Sequence, residues 1–181
     1  MRIAVCISGA SGVLLALHLA KKLAKKHEVF LVMSKGAKKV LKHEGGKSFL
    51  KQLKRQKNLR FFKDNALEAP ISSGSFHIDS AFFYASTDFL ARVVNNHANS
   101  LCERVFAVNI KERRKIVLSP REMPLSRLYL KNLLKLSKLG IFISPPLFAL
   151  YSGKSEKSAK ALLLGRWSEL LGCKTKYKRW K

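Results

Sequence analysis

Six short apolar runs recur along the chain, each rich in β-branched and aromatic residues and each short enough to be a buried strand. The first run ends in a glycine-rich turn, and the second follows one stretch of helical periodicity. Strands of this kind, separated by helices, indicate a parallel sheet. The predicted strands cover residues 3–7, 29–33, 59–62, 81–84, 116–118 and 141–143.

Between these runs the apolar residues repeat at helical spacing. Leu15, Leu19 and Leu23 recur every fourth position after the first strand, with lysines on the other face. Ser86 and Ser155 stand where a hydroxyl would cap the start of a helix. The predicted helices cover residues 13–26, the first part of 34–57 before the Gly45-Gly46 pair, 86–95, 101–111, 125–139 and 155–171.

The alternation of strands and helices predicts a three-layer, Rossmann-like (flavodoxin-like) α/β fold with a mostly parallel sheet. A length of 181 residues suits one domain. We assign residues 1–173 to that domain and residues 174–181 to a basic tail. The tail carries Tyr177 and Trp180 among cations, and we expect it to be frayed or docked on a neighbouring subunit.

The charge of the chain is its least ordinary global property. Thirty-six lysines and arginines face 11 acidic residues, which gives a net charge of +25. Such an excess favours phosphates, nucleic acid or an anionic membrane as partners. It is equally consistent with lysines that only keep the surface solvated. The charge therefore leaves both interpretations open.

The cysteines and the apolar segments place the protein in a cellular context. Cys6, Cys102 and Cys173 are odd in number and have no C-x-x-C spacing, which favours a reducing cytoplasm and argues against a zinc site. The apolar N-terminus is interrupted by the glycine turn, unlike a signal peptide. No segment reaches the length of a membrane span. We expect a cytoplasmic protein without a metal.

Polar loops follow several of the predicted strands. The turn Gly9-Ala10-Ser11-Gly12 joins the first strand to the first helix, where backbone N–H groups can bind a phosphate, although such turns also occur without a ligand. Ser34, the Ser86-Thr87-Asp88 cluster and the loop with Arg121 follow later strands. Carboxyl ends of parallel strands meet at one edge, so we expect these loops to converge there. For Ser86 alone, a helix cap is the simpler interpretation.

The segment Ser119-Pro120-Arg121-Glu122-Met123-Pro124 places a cation and a carboxylate between two prolines. This pair suits phosphate binding beside a proton-transfer group, or a surface ion pair in a stiff turn. Three further side chains have two interpretations each. Tyr151 either donates to a phosphate or packs in a loop, Arg166 either snorkels or meets an anion, and Lys111 either lines a pocket or is solvated.

Together these segments resemble the UbiX/Pad-type flavin prenyltransferases, within the FMN-binding flavoproteins of this α/β fold. The resemblance runs through "ISGASG", "VMSKGAKKVLKHE", "EAPISSGSF" and "FALY". Its most specific part is the block from Lys111 to Asn132, with "KERR" and "PRE-PLS". Members of the family join a dimethylallyl group from dimethylallyl phosphate to N5 and C6 of reduced FMN, without a metal, and supply UbiD-type decarboxylases.

The resemblance also implies residue roles. It places FMN against Gly9, Ala10, Ser11, Ser34, Ser86, Thr87, Asp88, Phe89 and Arg121. It places the prenyl phosphate near Lys111, Arg121, Tyr151 and Arg166, partly across a subunit interface of a homo-oligomer, up to a dodecamer. Glu122 would transfer protons, with Glu44 and Ser11 as further catalytic residues.

The chain departs from the family at residues 84–89. Asp88 stands where a lysine or arginine is common, which predicts weaker FMN binding unless the lysine excess compensates. One alternative is another FMN-dependent reaction, such as decarboxylation of a cysteine-derived carboxyl group. Those relatives rely on a histidine just after the glycine loop, and His18 lies too deep in the helix. A second alternative is a basic nucleic-acid-binding protein on the same scaffold.

Overall fold

The computed structural model describes residues 1–149, 151, 153 and 155–179. Leu150 of the "FALY" segment and Trp180 and Lys181 of the tail lie outside the described residues. The chain alternates strands and helices in the order β1 (Arg2–Ile7), α1 (Val13–Leu23), β2 (Glu28–Met33), α2 (Lys35–His43), α3 (Lys47–Leu53), β3 (Leu59–Lys63), a 3₁₀ turn (Pro70–Ser72), β4 (Ser80–Ala85), α4 (Thr87–Val93), α5 (Leu101–Lys111), β5 (Lys115–Pro120), α6 (Arg127–Lys138), β6 (Phe142–Ile143) and α7 (Glu156–Leu170).

The six strands form one sheet in the order β3-β2-β1-β4-β5-β6, and every pairing is parallel. This confirms the predicted α/β class, and the sheet is wholly parallel in the described chain where mostly parallel was expected. Residues of the central strands point alternately into two hydrophobic cores, one on each face. Burial on both faces explains why these strands are continuous apolar runs.

Several predicted boundaries shift. The region 34–57 holds two helices, because Gly45 adopts a φ of +70° between them. Strand β5 continues through Pro120, past the predicted end at residue 118. A proline fits there because its missing N–H would face β6, which pairs only with Val117 and Leu118. The helix that Ser86 begins ends at Val93 rather than at residue 95.

The start of the tail packs on its own chain. The Tyr177 ring lies so close to Gly165 of α7 that an added Cβ would stand 2.5 Å from its Cγ. In the described part, the tail therefore docks on α7 of its own chain, whereas we expected it to be frayed or docked on a neighbouring subunit. The division at residue 173 stays a prediction. Among the described residues, no helix has the length and apolarity needed to cross a membrane.

Candidate active site

The parallel register brings four polar loops to the carboxyl edge of the sheet, as predicted. Ile7 pairs with Met33 and with Tyr84, and Ala85 pairs with Pro120. The residues that follow these strands therefore meet at one edge. They are Ser8, Ser34, Ser86 and Arg121.

Three serines form the floor of this edge. The Ser34 hydroxyl donates to the Ser8 carbonyl over 2.6 Å, and the Ser86 N–H donates to the Ser8 hydroxyl over 2.9 Å. The sequence analysis did not predict Ser8 as a site residue, although it is the first polar residue after β1. Ser34 and Ser86 also accept from Ala37 N and Phe89 N, so each caps a helix. The cap interpretation of Ser86 is confirmed, in addition to its place at the edge.

A cavity of about 610 Å³ opens over these serines, within the range of small-molecule sites. We call it the rim cavity. Among the described residues, four cations and three acids, Asp64, Asp88 and Glu103, contribute to its lining, and the sequence analysis singled out none of the cations. Because Asp88 and Glu103 both face Arg92, the three lysines of the lining are the cations that suit a phosphorylated ligand. The predicted residues in its lining are Ser34, Ser86, Asp88 and Phe89, and the cations are Lys35, Lys38, Lys63 and Arg92.

The glycine turn already binds a carboxylate. Glu44 accepts from Gly12 N over 2.6 Å and from Leu14 N over 3.4 Å, at the positive end of α1. Glu44 therefore engages one N–H of the turn, that of Gly12, and one N–H of α1, that of Leu14. A ligand phosphate at this turn must use other donors or displace Glu44.

Tyr84 fixes the same turn from below. Its hydroxyl donates to the Ser11 carbonyl over 2.8 Å. Gly12 has a φ of +87°, and a Cβ there would lie 2.5 Å from the Tyr84 oxygen, so only glycine fits. Burial raises the pKa of Tyr84 to about 12, with the Arg121 charge opposing and the Glu44 charge adding to the shift. The phenol therefore stays a neutral donor.

The segment 87–89 uses its side chains in three different ways. Thr87 donates to Glu122 over 2.6 Å. Asp88 accepts from Arg92 over 3.0 Å, so a cation neutralises the acid that the sequence analysis set against FMN binding. Phe89 is buried, with its ring 5.7 Å from that of Phe83. The Phe89 side chain belongs to the hydrophobic core, and little of it is accessible to a ligand.

Arg121 and Glu122 do not pair with each other in the described chain, which contradicts the surface ion-pair interpretation. The Glu122 carboxylate instead accepts from Thr87 and, over 3.2 Å, from Met123 N. These two hydrogen bonds and the Arg121 charge lower the pKa of Glu122. The carboxylate is thus held in its ionised form at the edge of the sheet.

Of the predicted site residues, four occur in the described lining of the rim cavity: Ser34, Ser86, Asp88 and Phe89. The other predicted residues lie outside that lining: Gly9, Ala10, Ser11, Glu44, Thr87, Arg121, Glu122, Lys111, Tyr151 and Arg166. Lys111 ends α5 just before β5 begins, which puts it at the opposite edge of the sheet, where it pairs with Glu112 over 3.0 Å. Arg166 pairs with Glu169 over 2.6 Å, and Tyr151 is 42% exposed in the loop before α7. Within one chain Lys111 cannot reach the rim, because the sheet separates them.

The arrangement defines an α/β protein with a phosphate-compatible cavity at the carboxyl edge of a parallel sheet. No cluster of three metal-ligating side chains occurs in the described ranges.

The Flavoprotein family model matches residues 1–164. Flavin prenyltransferase UbiX of Helicobacter pylori is 38% identical over 99% of this chain and 98% of its own, and that of Methanocaldococcus jannaschii is 36% identical over 99% and 98%. The chain belongs to the flavin prenyltransferase UbiX family of flavoproteins.

Solved structures agree with this assignment. AnUbiX (PadA1) in complex with FMN and dimethylallyl pyrophosphate has a TM-score of 0.90 and 33% identity, over 99% of this chain and 97% of that one. A dodecameric FMN-dependent UbiX-like decarboxylase from Escherichia coli O157:H7 has a TM-score of 0.92 and 32% identity, with full coverage of both. The predicted fold and family are confirmed.

Proposed function

We propose that this protein is a flavin prenyltransferase, which joins the dimethylallyl group of dimethylallyl phosphate to N5 and C6 of reduced FMN. The observation that carries the proposal is full-length similarity to flavin prenyltransferases, combined with the convergence of the motif residues on one edge. The alternative decarboxylation chemistry lacks its histidine. His18 lies within α1, with its ring 4.6 Å from that of Phe49.

The rim cavity fits FMN in size and in donor chemistry. Serine hydroxyls and lysines suit its phosphate, and the glycine turn allows close approach of a flat ring. When bound, reduced FMN supplies the electron-rich carbons and nitrogen that accept the prenyl group. The residues that would hold it are Gly9, Ala10, Ser11, Ser34, Ser86, Thr87, Asp88, Phe89 and Arg121.

The prenyl phosphate would be held by cations and a phenol. Ionising an allylic phosphate requires donors that stabilise the leaving group, and charge-assisted hydrogen bonds do so most strongly. Arg121 stands at the carboxyl edge of the sheet, while Lys111, Tyr151 and Arg166 would complete this set, with Lys111 and Arg166 from neighbouring subunits. Such a set supports transfer without a metal ion.

Proton transfer would fall to Glu122. It is exposed in the single chain and ionised, so it can take the proton released as the flavin ring is substituted. Glu44 and Ser11 would be further catalytic residues at the glycine turn, where Glu44 already accepts a hydrogen bond from Gly12 N.

An exposed apolar surface supports a homo-oligomer with shared sites. Met123, Leu128 and Leu147 are 83%, 75% and 72% exposed in the single chain, and they flank the Arg121 loop and the segment before α7. Apolar patches of this kind mark protein interfaces. We propose a cytoplasmic oligomer, as large as a dodecamer, whose product passes to a UbiD-type decarboxylase.

The test is anaerobic incubation of the protein with reduced FMN and dimethylallyl phosphate, followed by mass spectrometry of the flavin released on denaturation. We expect prenylated flavin that depends on both substrates. Bound but unaltered FMN would indicate other flavin chemistry. Failure to bind FMN in either redox state, with co-purified RNA and a steep salt dependence, would favour the nucleic-acid alternative.

A further inference from the structure

A second cavity, of about 530 Å³, lies at the amino edge of the sheet, away from the candidate active site. It opens at the end of α1, just before β2 begins at Glu28. Helix α1 has 11 residues, so at about 1.5 Å per residue its two ends are roughly 16 Å apart. We call this the lysine cavity, because its described lining holds five lysines and no acidic residue. The lysines are Lys22, Lys25, Lys26, Lys174 and Lys176.

Two separate segments supply these lysines, and both are held in place. Three come from α1 and the turn after it, and two come from the start of the tail. Cys173, just before the tail, is 6% exposed, packs in the same core as Leu23 of α1, and donates its N–H to the Ser168 carbonyl over 2.9 Å. Tyr177 packs against Gly165 of α7. Residues 174–176 are therefore anchored at both ends beside α1.

The charges of the lysine cavity are not neutralised by the described chain. None of its five lysines forms an ion pair with an acidic side chain among the described residues. Two acids at this edge of the sheet are engaged elsewhere. Glu28 pairs with Arg2 and Arg60, and Asp79 accepts from Arg2 N over 2.6 Å and pairs with His77. Like charges around one cavity repel each other, so an anion that neutralises them would bind favourably.

A buried nitrogen in the lining also lacks a partner. Nδ1 of His27 is buried and has no hydrogen-bond partner in the described chain. Buried polar atoms nearly always have one, and a neutral imidazole can donate from this nitrogen. Burial lowers the pKa of Lys22, and the Lys25 charge lowers it further. A bound anion would oppose that shift and give Nδ1 an acceptor.

The shape and composition of the lysine cavity indicate the class of ligand. Its volume lies in the range of small-molecule sites. Its described lining holds no phenylalanine, tyrosine or tryptophan, whereas sites for single-stranded nucleic acid stack bases on aromatic rings. Lysines at several positions around a concave site suit a compact anion with more than one charged group.

We propose that the lysine cavity binds a small anion with several linked phosphate groups, such as inorganic triphosphate or the triphosphate of a nucleotide. This site is separate from the rim cavity and shares no lining residue with it. The inference therefore does not depend on the proposed function.

Isothermal titration calorimetry of the full protein tests the proposal, with inorganic triphosphate as the probe. Triphosphate should bind at least about tenfold more tightly than inorganic monophosphate, because it can make more charge-assisted contacts. K174Q/K176Q removes two lysines of the cavity and should weaken triphosphate binding by about tenfold or more. Both side chains are exposed, so the melting temperature without ligand should stay at the wild-type value.

The matched control is K47Q/K51Q, which removes the same charge from exposed positions on α3. Its affinity for triphosphate should change by less than about twofold at physiological salt, where distant surface charges are screened. Equal weakening in the two double variants would assign the binding to the overall charge and overturn the site. Equal affinity for monophosphate and triphosphate would overturn it as well.

Lysine acylation followed by mass spectrometry locates the bound triphosphate. Protection should fall on the five lysines of the lysine cavity and not on Lys47 or Lys51. Protection of Lys35, Lys38 and Lys63 instead would place the anion in the rim cavity and overturn the proposal. Product formation should be unchanged in K174Q/K176Q, so this proposal and the proposed function can fail separately.

A comparison of ATP with inorganic triphosphate identifies the source of the phosphate groups. Tighter binding of ATP would support a nucleotide, and equal or weaker binding would support a free polyphosphate. A short RNA that binds the lysine cavity more tightly than either would overturn the assignment to a small anion.

Discussion

At the scale of single residues, the polar groups of the candidate site already make hydrogen bonds within the protein. Ser34 and Ser86 cap helices, and Glu44 accepts from Gly12 N of the glycine turn and from Leu14 N of α1. A carboxylate at that position is a local substitute for an anionic ligand. Ligand binding would therefore exchange existing hydrogen bonds, so the net gain per contact is smaller than the contact itself suggests.

Glu122 offers the sharpest residue-level prediction. Glu122→Gln keeps the size of the side chain and one of its two acceptor oxygens but removes the titratable group. FMN binding should survive, because the predicted flavin contacts lie mainly in the glycine and serine loops. Formation of prenylated flavin should fall by about 10²–10⁴, the usual contribution of a positioned acid or base. Flavin fluorescence titration and the product assay measure the two effects.

The control for this variant is Glu28→Gln. Glu28 begins β2 at the opposite edge of the sheet and pairs with Arg2 and Arg60. It should leave product formation unchanged. Arg121→Ala should differ from both by weakening binding of the prenyl phosphate itself. Full activity in the Glu122→Gln variant would remove its proton-transfer role.

At the scale of elements, the C-terminal segment is tied to α7 through one carboxylate. Glu169 accepts from Tyr177 and from Arg166, each over 2.6 Å, and also pairs with Arg179. Arg166 is thus held by its own chain in this structure. To meet a prenyl phosphate, its guanidinium would have to exchange Glu169 for the ligand or bind both.

This network predicts a pH dependence of stability. The hydrogen bonds from Tyr177 and Arg166, with Arg179 adding, lower the pKa of Glu169 from about 4.5 to about 2. A lowered pKa in the folded state stabilises the fold above the unfolded value, and this contribution is lost as the pH falls from about 4.5 to about 2. The melting temperature of Glu169→Gln should therefore lie below wild type near neutral pH and converge with it in acid.

Glu156→Gln is the control on the same helix. Glu156 is exposed, and its Oε1 lies 3.7 Å from Lys160 Nζ. Such an i,i+4 surface ion pair contributes little to stability. Its melting curve should follow wild type throughout. A constant gap between Glu169→Gln and wild type down to the lowest pH would contradict the assigned cause.

Elements built from neighbouring residues could be predicted from the sequence. Apolar runs located the strands, and Ser86 and Ser155 marked helix starts correctly because a cap depends on residues within one turn. Glu44 on Gly12 could not be predicted in this way, since 32 residues separate them and no local pattern records the contact. The expectation of a parallel sheet predicted which loops meet at one edge. It could not predict which hydroxyl bonds to which acceptor, because those partners are also far apart in the sequence.

At the scale of the molecule, a dense cluster of lysines and the exposed apolar side chains lie on different parts of the surface. The lysine cavity, of about 530 Å³, lies at the end of α1. Its described lining holds five lysines, Lys22, Lys25, Lys26, Lys174 and Lys176, and no acidic residue. Met123 and most of the exposed leucines lie instead on α6 and in the loops on either side of it. Association through that apolar surface would bring a neighbour against the candidate site.

Complementation between inactive variants tests whether the site is shared. Glu122→Gln and Arg166→Ala should each lose most product formation when expressed alone. Co-expressed, they should form mixed oligomers in which some sites take Glu122 from one subunit and Arg166 from the next, so activity should partly return. If both residues acted from the same chain, no mixed oligomer could contain an intact site. Light scattering should first show wild-type particles that are multiples of the 20.4 kDa chain. Particles of a single chain at every concentration, or mixed oligomers without activity, would rule out a site shared through Arg166.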